Sequence, residues 1–230
     1  MCGRIVLSSS IEAIAAAFGI ADPARHLIHL APRYNIKPGE ALAIVRTGTF
    51  GDRELVPLTW GFIPREAKVP GRRQINARAE TVDKIWPWRH AFRERRCLVV
   101  VDGFYEPEKY PGTKKTKQQW FFRLKSKGPM ALAGLWDQWH EGKPDYAATC
   151  AVITTTPNEL IASMGHERMP VIVKERDYTR WLDPKIHDRT MLDDILMPYP
   201  SDLMEGWPVG TRVNNPKLDD ASLIAQTDDE

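Results

Sequence analysis

The chain has 230 residues, 43% of them hydrophobic and 27% charged, with a formal net charge of +2 at neutral pH. That length suits one domain around one sizeable core, and so small a net charge does not announce nucleic-acid binding. No run approaches the ~20 apolar residues that span a bilayer, MCGRIVLSSS lacks the apolar core of a secretory signal, and Cys2, Cys97 and Cys150 lack the spacing of a disulfide framework or a CxxC-type zinc site. The expectation is a monomer of the reducing cytosol that needs no metal and no cofactor.

In chain order, SSSIEAIAAAFGI offers a serine cap, apolar residues Ile11, Ile14, Ala15 and Phe18 at helical spacing, and Gly19 as a stop. APRYNIKPGE reads as a turn segment, ALAIVR as a short strand, and TGTFGD as the turn that closes it. Further strands are predicted over ELVPLTWGF, RCLVVVDGFYEP, QWFFRLK, MALAGLWDQW, ATCAVITTT and PVIVK. Two more helices fit PNELIASMG, with Thr156 as cap ahead of Pro157, and ERDYTRWLD. Many strands with few helices and no regular βαβ alternation predict an α+β fold around a mixed, barrel-like sheet. One domain is expected over residues 2–222, followed by a loose acidic tail over 223–230.

The charge is unevenly spread. Arg65, Lys68, Arg72, Arg73 and Arg78 lie in PREAKVPGRRQINARAE, Arg93, Arg95 and Arg96 in FRERRC, and Lys114, Lys115 and Lys117 in GTKKTKQQW. Interleaved with Trp, Tyr and Phe, such clusters point toward a polyanion with stackable bases, although any one of them alone reads as a solvated loop.

The opening MCGR puts a cysteine directly behind the first methionine. Loss of Met1 would leave Cys2 with a free α-amine beside its thiol, a 1,2-aminothiol that can close on an aldehyde. The plainer reading is a small residue at a frayed terminus. Asp102 sits where an apolar run gives way to a turn, while Glu106 follows Phe104 and Tyr105, a surround that can raise a carboxyl pKa. His166 lies in a Gly-flanked loop, and Asn76 and Arg78 would share one face of an extended segment.

Taken in order, MCGR, PRYNIKPGE, WGFIP, INARAET, DGFYEP, GHERMP and VNNPKLDD resemble the SRAP domain, the SOS response-associated peptidase family. The resemblance covers nearly the whole chain. It implies an abasic-site sensor that crosslinks through Cys2 to abasic sites in single-stranded DNA by a thiazolidine, shielding them during replication-linked repair. It further implies that Asn76 positions Cys2, that Glu106 and His166 manage protons, and that Arg4, Arg33, Asn35, Pro38, Arg78 and Thr155 line the DNA path. Strand cleavage by β-elimination and self-removal of Met1 are implied as side activities, in a cytoplasmic protein that joins the nucleoid when bound. Bacterial members of the family often carry two tryptophans soon after the WG segment; here basic residues stand there, which leaves Ile63, Pro38 or Trp86 to stack on DNA. Two other readings use the same residues: an amino-terminal-nucleophile hydrolase whose Cys2 thiol attacks an amide, and a DNA-binding module without chemistry.

Overall fold

The computed structural model describes residues 2–22, 31–108 and 118–227. The basic cluster at Lys114, Lys115 and Lys117 therefore lies outside the described residues, as does Met1. Before the barrel come β1 (Ile5–Leu7), α1 (Ile11–Phe18) and β2 (Arg33–Ile36). Ser10 caps α1 by accepting the Ala13 N–H at 3.3 Å, and Gly19 ends it at φ +63°, a backbone that glycine adopts without strain. β2 falls inside the segment read as a turn. Its partner decides this, because β1 pairs with it and the Tyr34 and Asn35 N–H groups both donate to the Asp219 carboxylate.

The body is a closed barrel. β3 (Ala41–Thr47) and β4 (Arg53–Trp60) form a hairpin in register from Ala41 opposite Thr59 to Thr47 opposite Arg53. Next come β5 (Asn76–Arg78), α2 (Arg89–Glu94), β6 (Arg96–Val101), β7 (Gly103–Pro107), β8 (Gln119–Leu124), β9 (Met130–Trp139) and β10 (Ala147–Thr155). β3 pairs with β6, β6 with β9, β9 with β10, and β10 runs parallel to β4, which returns the ring to its start. The sheet is thus mixed as well as closed, with no open edge around the ring. Every residue of β6 is buried, because α2 and α4 (Tyr178–Leu182) pack over its outer side. The continuous apolar run CLVVV is what such two-sided burial demands.

A second sheet, in the order β13–β8–β7–β1–β2, lies beside the barrel, with β13 spanning Met204–Val209. The last third of the chain adds α3 (Glu159–Ser163), β11 (Met169–Pro170) and β12 (Ile172–Val173). Asn158 rather than Thr156 caps α3, accepting the Ile161 N–H at 3.0 Å. Past the expected boundary at residue 222 the described chain still makes contacts. Leu223 is buried, the Trp207 indole donates to Ile224 O at 2.9 Å, and Thr227 N–H donates to Pro208 O at 3.0 Å. The chain therefore stays packed to the end of the described residues. No helix among them is long and apolar enough to cross a membrane.

Candidate functional site

Cys2 leads into β1, whose register pairs Ile5 with Phe104 and Val6 with Gly103 of β7. Tyr105 N–H donates to Arg4 O at 3.0 Å, so the stretch before β1 runs antiparallel to Tyr105, Glu106 and Pro107. Cys2 is fully buried. Burial chiefly, and then the negative charge of Glu106, pushes its thiol well above the usual range, while a hydrogen bond from the Arg4 N–H pulls the other way. At neutral pH Cys2 therefore carries a neutral thiol.

β5 runs parallel to β10, with Asn76 opposite Val152 and Arg78 opposite Thr154. This short strand brings Asn76 from the barrel to the second sheet, where its Nδ2 donates to Cys2 O at 2.9 Å. The Asn76 Oδ1 is buried with no hydrogen-bond partner among the described residues. An orphaned acceptor of this kind costs about 1–3 kcal/mol, so it fits a donor brought to Cys2. Beside it opens a cavity of about 340 Å³ lined by Arg72, Arg73, Gln74, Ile75 and Asn76.

After α3, Gly165 turns the chain at φ +75° and delivers His166 into the interior. Its Nε2 lies 2.5 Å from Pro107 O. A carbonyl can only accept, so Nε2 carries the proton. Nδ1 then faces Glu106 Oε2 at 3.7 Å, with both side chains almost fully buried. That separation is an ion-pair distance and longer than a hydrogen bond, so a proton passes between the two once either moves closer. Arg168 fixes this loop by forking onto Glu80 at 2.5 and 2.9 Å and donating to Thr154 O.

Cys2, Asn76, Glu106 and His166 thus converge from four separate elements. The other residues assigned to DNA divide. Asn35 is buried, with its amide donating to Val213 O, Asn215 O and Leu218 O, so it holds the C-terminal segment and faces no open path. Arg33 is committed to two carboxylates, Asp219 and Glu40, which cancel its charge. Arg4 donates to two neutral acceptors, Asn35 Oδ1 at 2.6 Å and Asn214 O at 3.3 Å, and among the described residues it joins no ion pair. Pro38 and Arg78 are exposed, and Thr155 is buried at the end of β10. Asp102 is structural, accepting the Ser8 N–H at 2.5 Å and the Ser9 N–H at 2.7 Å.

Two further expectations are corrected by burial. Ile63 is fully buried and has no face for a base, whereas Trp86 is 57% exposed. In the FRERRC cluster Arg95 is paired with Glu94 and Asp137, and Arg96 donates to Trp181 O, Phe92 O and the Asp183 carbonyl. These two guanidinium groups are structural cross-links. Reading the sequence missed Glu80 and Asp137, whose parts depend on partners far along the chain. Among the described residues no group of three or more His, Cys, Asp or Glu could hold a metal ion.

Comparison with known proteins places the chain among relatives. The family model "SOS response associated peptidase (SRAP)" matches residues 1–216. The abasic site processing protein YoqW of Bacillus subtilis (strain 168) is 39% identical over 229 residues, covering 97% of this chain and 99% of that protein. The abasic site processing protein HMCES of Rattus norvegicus is 23% identical over 234 residues, covering 86% of this chain and 65% of that one. Among solved structures, a protein from Bacteroides thetaiotaomicron superposes with a TM-score of 0.85 at 20% identity, over 98% of this chain and 100% of the other.

Proposed function

The chain belongs to the SRAP family, and on that premise we propose that it crosslinks abasic sites in single-stranded DNA through Cys2. The observation that carries this reading is the buried meeting of the Cys2 thiol, the half-satisfied Asn76 amide and the Glu106–His166 pair. An abasic site equilibrates with a ring-opened aldehyde. Once Met1 is removed, the α-amine of Cys2 adds to that aldehyde carbon and water leaves, which gives an imine. The thiol then adds to the same carbon. Its proton passes to Glu106 and on to the nitrogen, closing a thiazolidine with every atom accounted for.

The raised thiol pKa supports this order of events. A neutral thiol is a poor first nucleophile, so the amine opens the sequence, and Asn76 Oδ1 is the acceptor available to orient it. His166, holding its proton on Nε2, offers Nδ1 to relay the proton of Glu106. In a hydrolase reading the Cys2 amine would serve as base for its own thiol, and the product separates the two: a hydrolase turns over freely, whereas the crosslinker stays attached to the DNA. Arg4 and the exposed Arg78 supply phosphate contacts. Strand cleavage by β-elimination from the open imine is a side activity that ring closure suppresses.

Intact-mass measurement tests the proposal. Purified protein should begin at Cys2 and, mixed with an abasic single-stranded oligodeoxynucleotide, gain the mass of that oligonucleotide less one water. Adduct formation by protein that quantitatively keeps Met1 defeats the mechanism, since an acylated nitrogen forms no imine.

A further inference from the structure

Two cavities on this face adjoin. The first, beside Asn76, shares Arg72 and Gln74 with a second of about 170 Å³ whose walls include Phe62, Pro64, Val69, Pro70, Trp86 and Pro87. The second cavity is rigidly founded. Trp88 packs on Phe62 with ring centroids 4.9 Å apart, the Phe62 N–H donates to Gln74 O at 2.9 Å, and Trp139 donates to Ala67 O at 2.8 Å. Arg65 anchors the loop through its N–H and Nε on the buried Asp137, at 3.0 and 2.9 Å. Over this floor stand two bare apolar surfaces, Trp86 at 57% and Val69 at 70% exposure.

The rim of the cleft is cationic. Lys68, Arg72 and Arg73 are exposed, and no ion pair among the described residues uses them, although Glu66 lies in the same loop. An apolar slot with an open indole face and unpaired guanidinium groups matches a nucleotide, which presents a flat base and a phosphate together. A protein segment of apolar side chains would leave those cations unmatched. Because the two cavities meet at Arg72, an occupant of the Trp86 cleft would be joined to an occupant beside Asn76 by a group lying against that guanidinium.

We propose that the Trp86 cleft is a base-stacking subsite for a nucleotide neighbouring the one held at Cys2, with Arg72 on the phosphate that joins them. The inference rests on the DNA-binding reading above and adds a place where strand identity and base occupancy are felt. Trp86 is a binding residue here and takes no part in bond making.

Fluorescence anisotropy with labelled single-stranded oligodeoxythymidylates tests it on the full chain. Each probe carries one unreactive tetrahydrofuran analogue at its centre to seat at Cys2. In a second series one flanking base at a time is also removed. For the parent, one flanking position should stand out, its missing base weakening binding about tenfold, the size of one lost stack. Trp86→Ala should bind the complete probe about tenfold more weakly and be indifferent to the base at that position, while Trp86→Phe keeps most of the affinity. Arg72→Ala should flatten the dependence of log affinity on log salt by about 0.7, the share of one phosphate. Should Trp86→Ala bind like the parent, or retain the parent's sensitivity to the flanking base, the subsite is refuted while crosslinking by Cys2 still stands. If the parent binds none of the probes and forms no adduct, the proposed function fails with it.

Discussion

Glu106 acts on Cys2 in two opposed ways, and a single substitution separates them. Its charge helps to push the thiol up, yet in the proposed reaction the same carboxylate must take the thiol proton. Glu106→Gln should therefore lower the thiol pKa while slowing adduct formation about 100-fold, the lower end of general acid–base catalysis. Thiol alkylation and adduct formation at neutral pH are the two readouts; a variant that alkylates faster than the parent but forms adduct at the parent's rate leaves Glu106 no part in proton transfer. Cys2→Ala keeps the amine but cannot close the ring. It should trap with borohydride and give no heat-stable adduct, and an unchanged yield of heat-stable adduct would turn attention to lysines such as Lys37. At this scale the sequence told residue type well and partnership badly. Glu106 and His166 stood out by their neighbours, but nothing near Asn35 or Arg33 reveals that Asp219 and Val213 O arrive from the far end of the chain to occupy them.

The elements were legible where one local signal decided them. α1 carries its own cap and stop, and the apolar runs of β6, β9 and β10 announce strands covered on both sides. β13 was not, because MEGWPV holds a glycine and a proline that count against a strand. Its context reverses both signs. β13 is the edge of its sheet, where Pro208 can sit without its N–H, and Gly206 lies under the Phe122 ring, where a Cβ would come within 2.5 Å of Cδ1. Gly103 at the start of β7 is tighter still, with a Cβ there 2.3 Å from Phe121 Cζ and 2.6 Å from Phe122 O. Since a backbone oxygen cannot swing aside, Gly103→Ala should cost about 3 kcal/mol, at the upper end of overpacking. It should also impair the site, because β7 carries Glu106 three residues on. A melting temperature within a degree of the parent would show that the two sheets have slack at this point.

For the whole molecule, fold class was readable from the count and order of strands, but closure was not. A barrel needs β10 beside both β4 and β9, and a parallel pairing of two residue pairs leaves no mark in either segment. What closure does leave is a set of thiols with no access to water. Cys97 and Cys150 lie in β6 and β10, and burial pushes both well above the ordinary thiol value of 9.0, as it does Cys2. The phenols of Tyr105 and Tyr178 shift the same way from 10.0, again through burial first. The sign of the effect on stability follows from proton counting. Below about pH 9 these groups keep their protons in both states and the stabilisation is intact. As pH rises past the unfolded values, the unfolded chain ionises first and binds fewer protons than the native one, so stability falls with a limiting slope of about 1.4 kcal/mol per pH unit for each buried thiol. The protein should therefore hold its melting temperature from pH 7 to about 8.5 and lose it steeply above 9. Cys150→Ala isolates one share of that loss. The variant starts less stable at neutral pH because it leaves a small cavity, but its disadvantage should shrink by about 1.4 kcal/mol for each pH unit above 9. Parallel stability curves for parent and variant between pH 8 and 10.5 would mean that Cys150 ionises as easily in the native barrel as in the unfolded chain, and burial would no longer explain an alkaline transition.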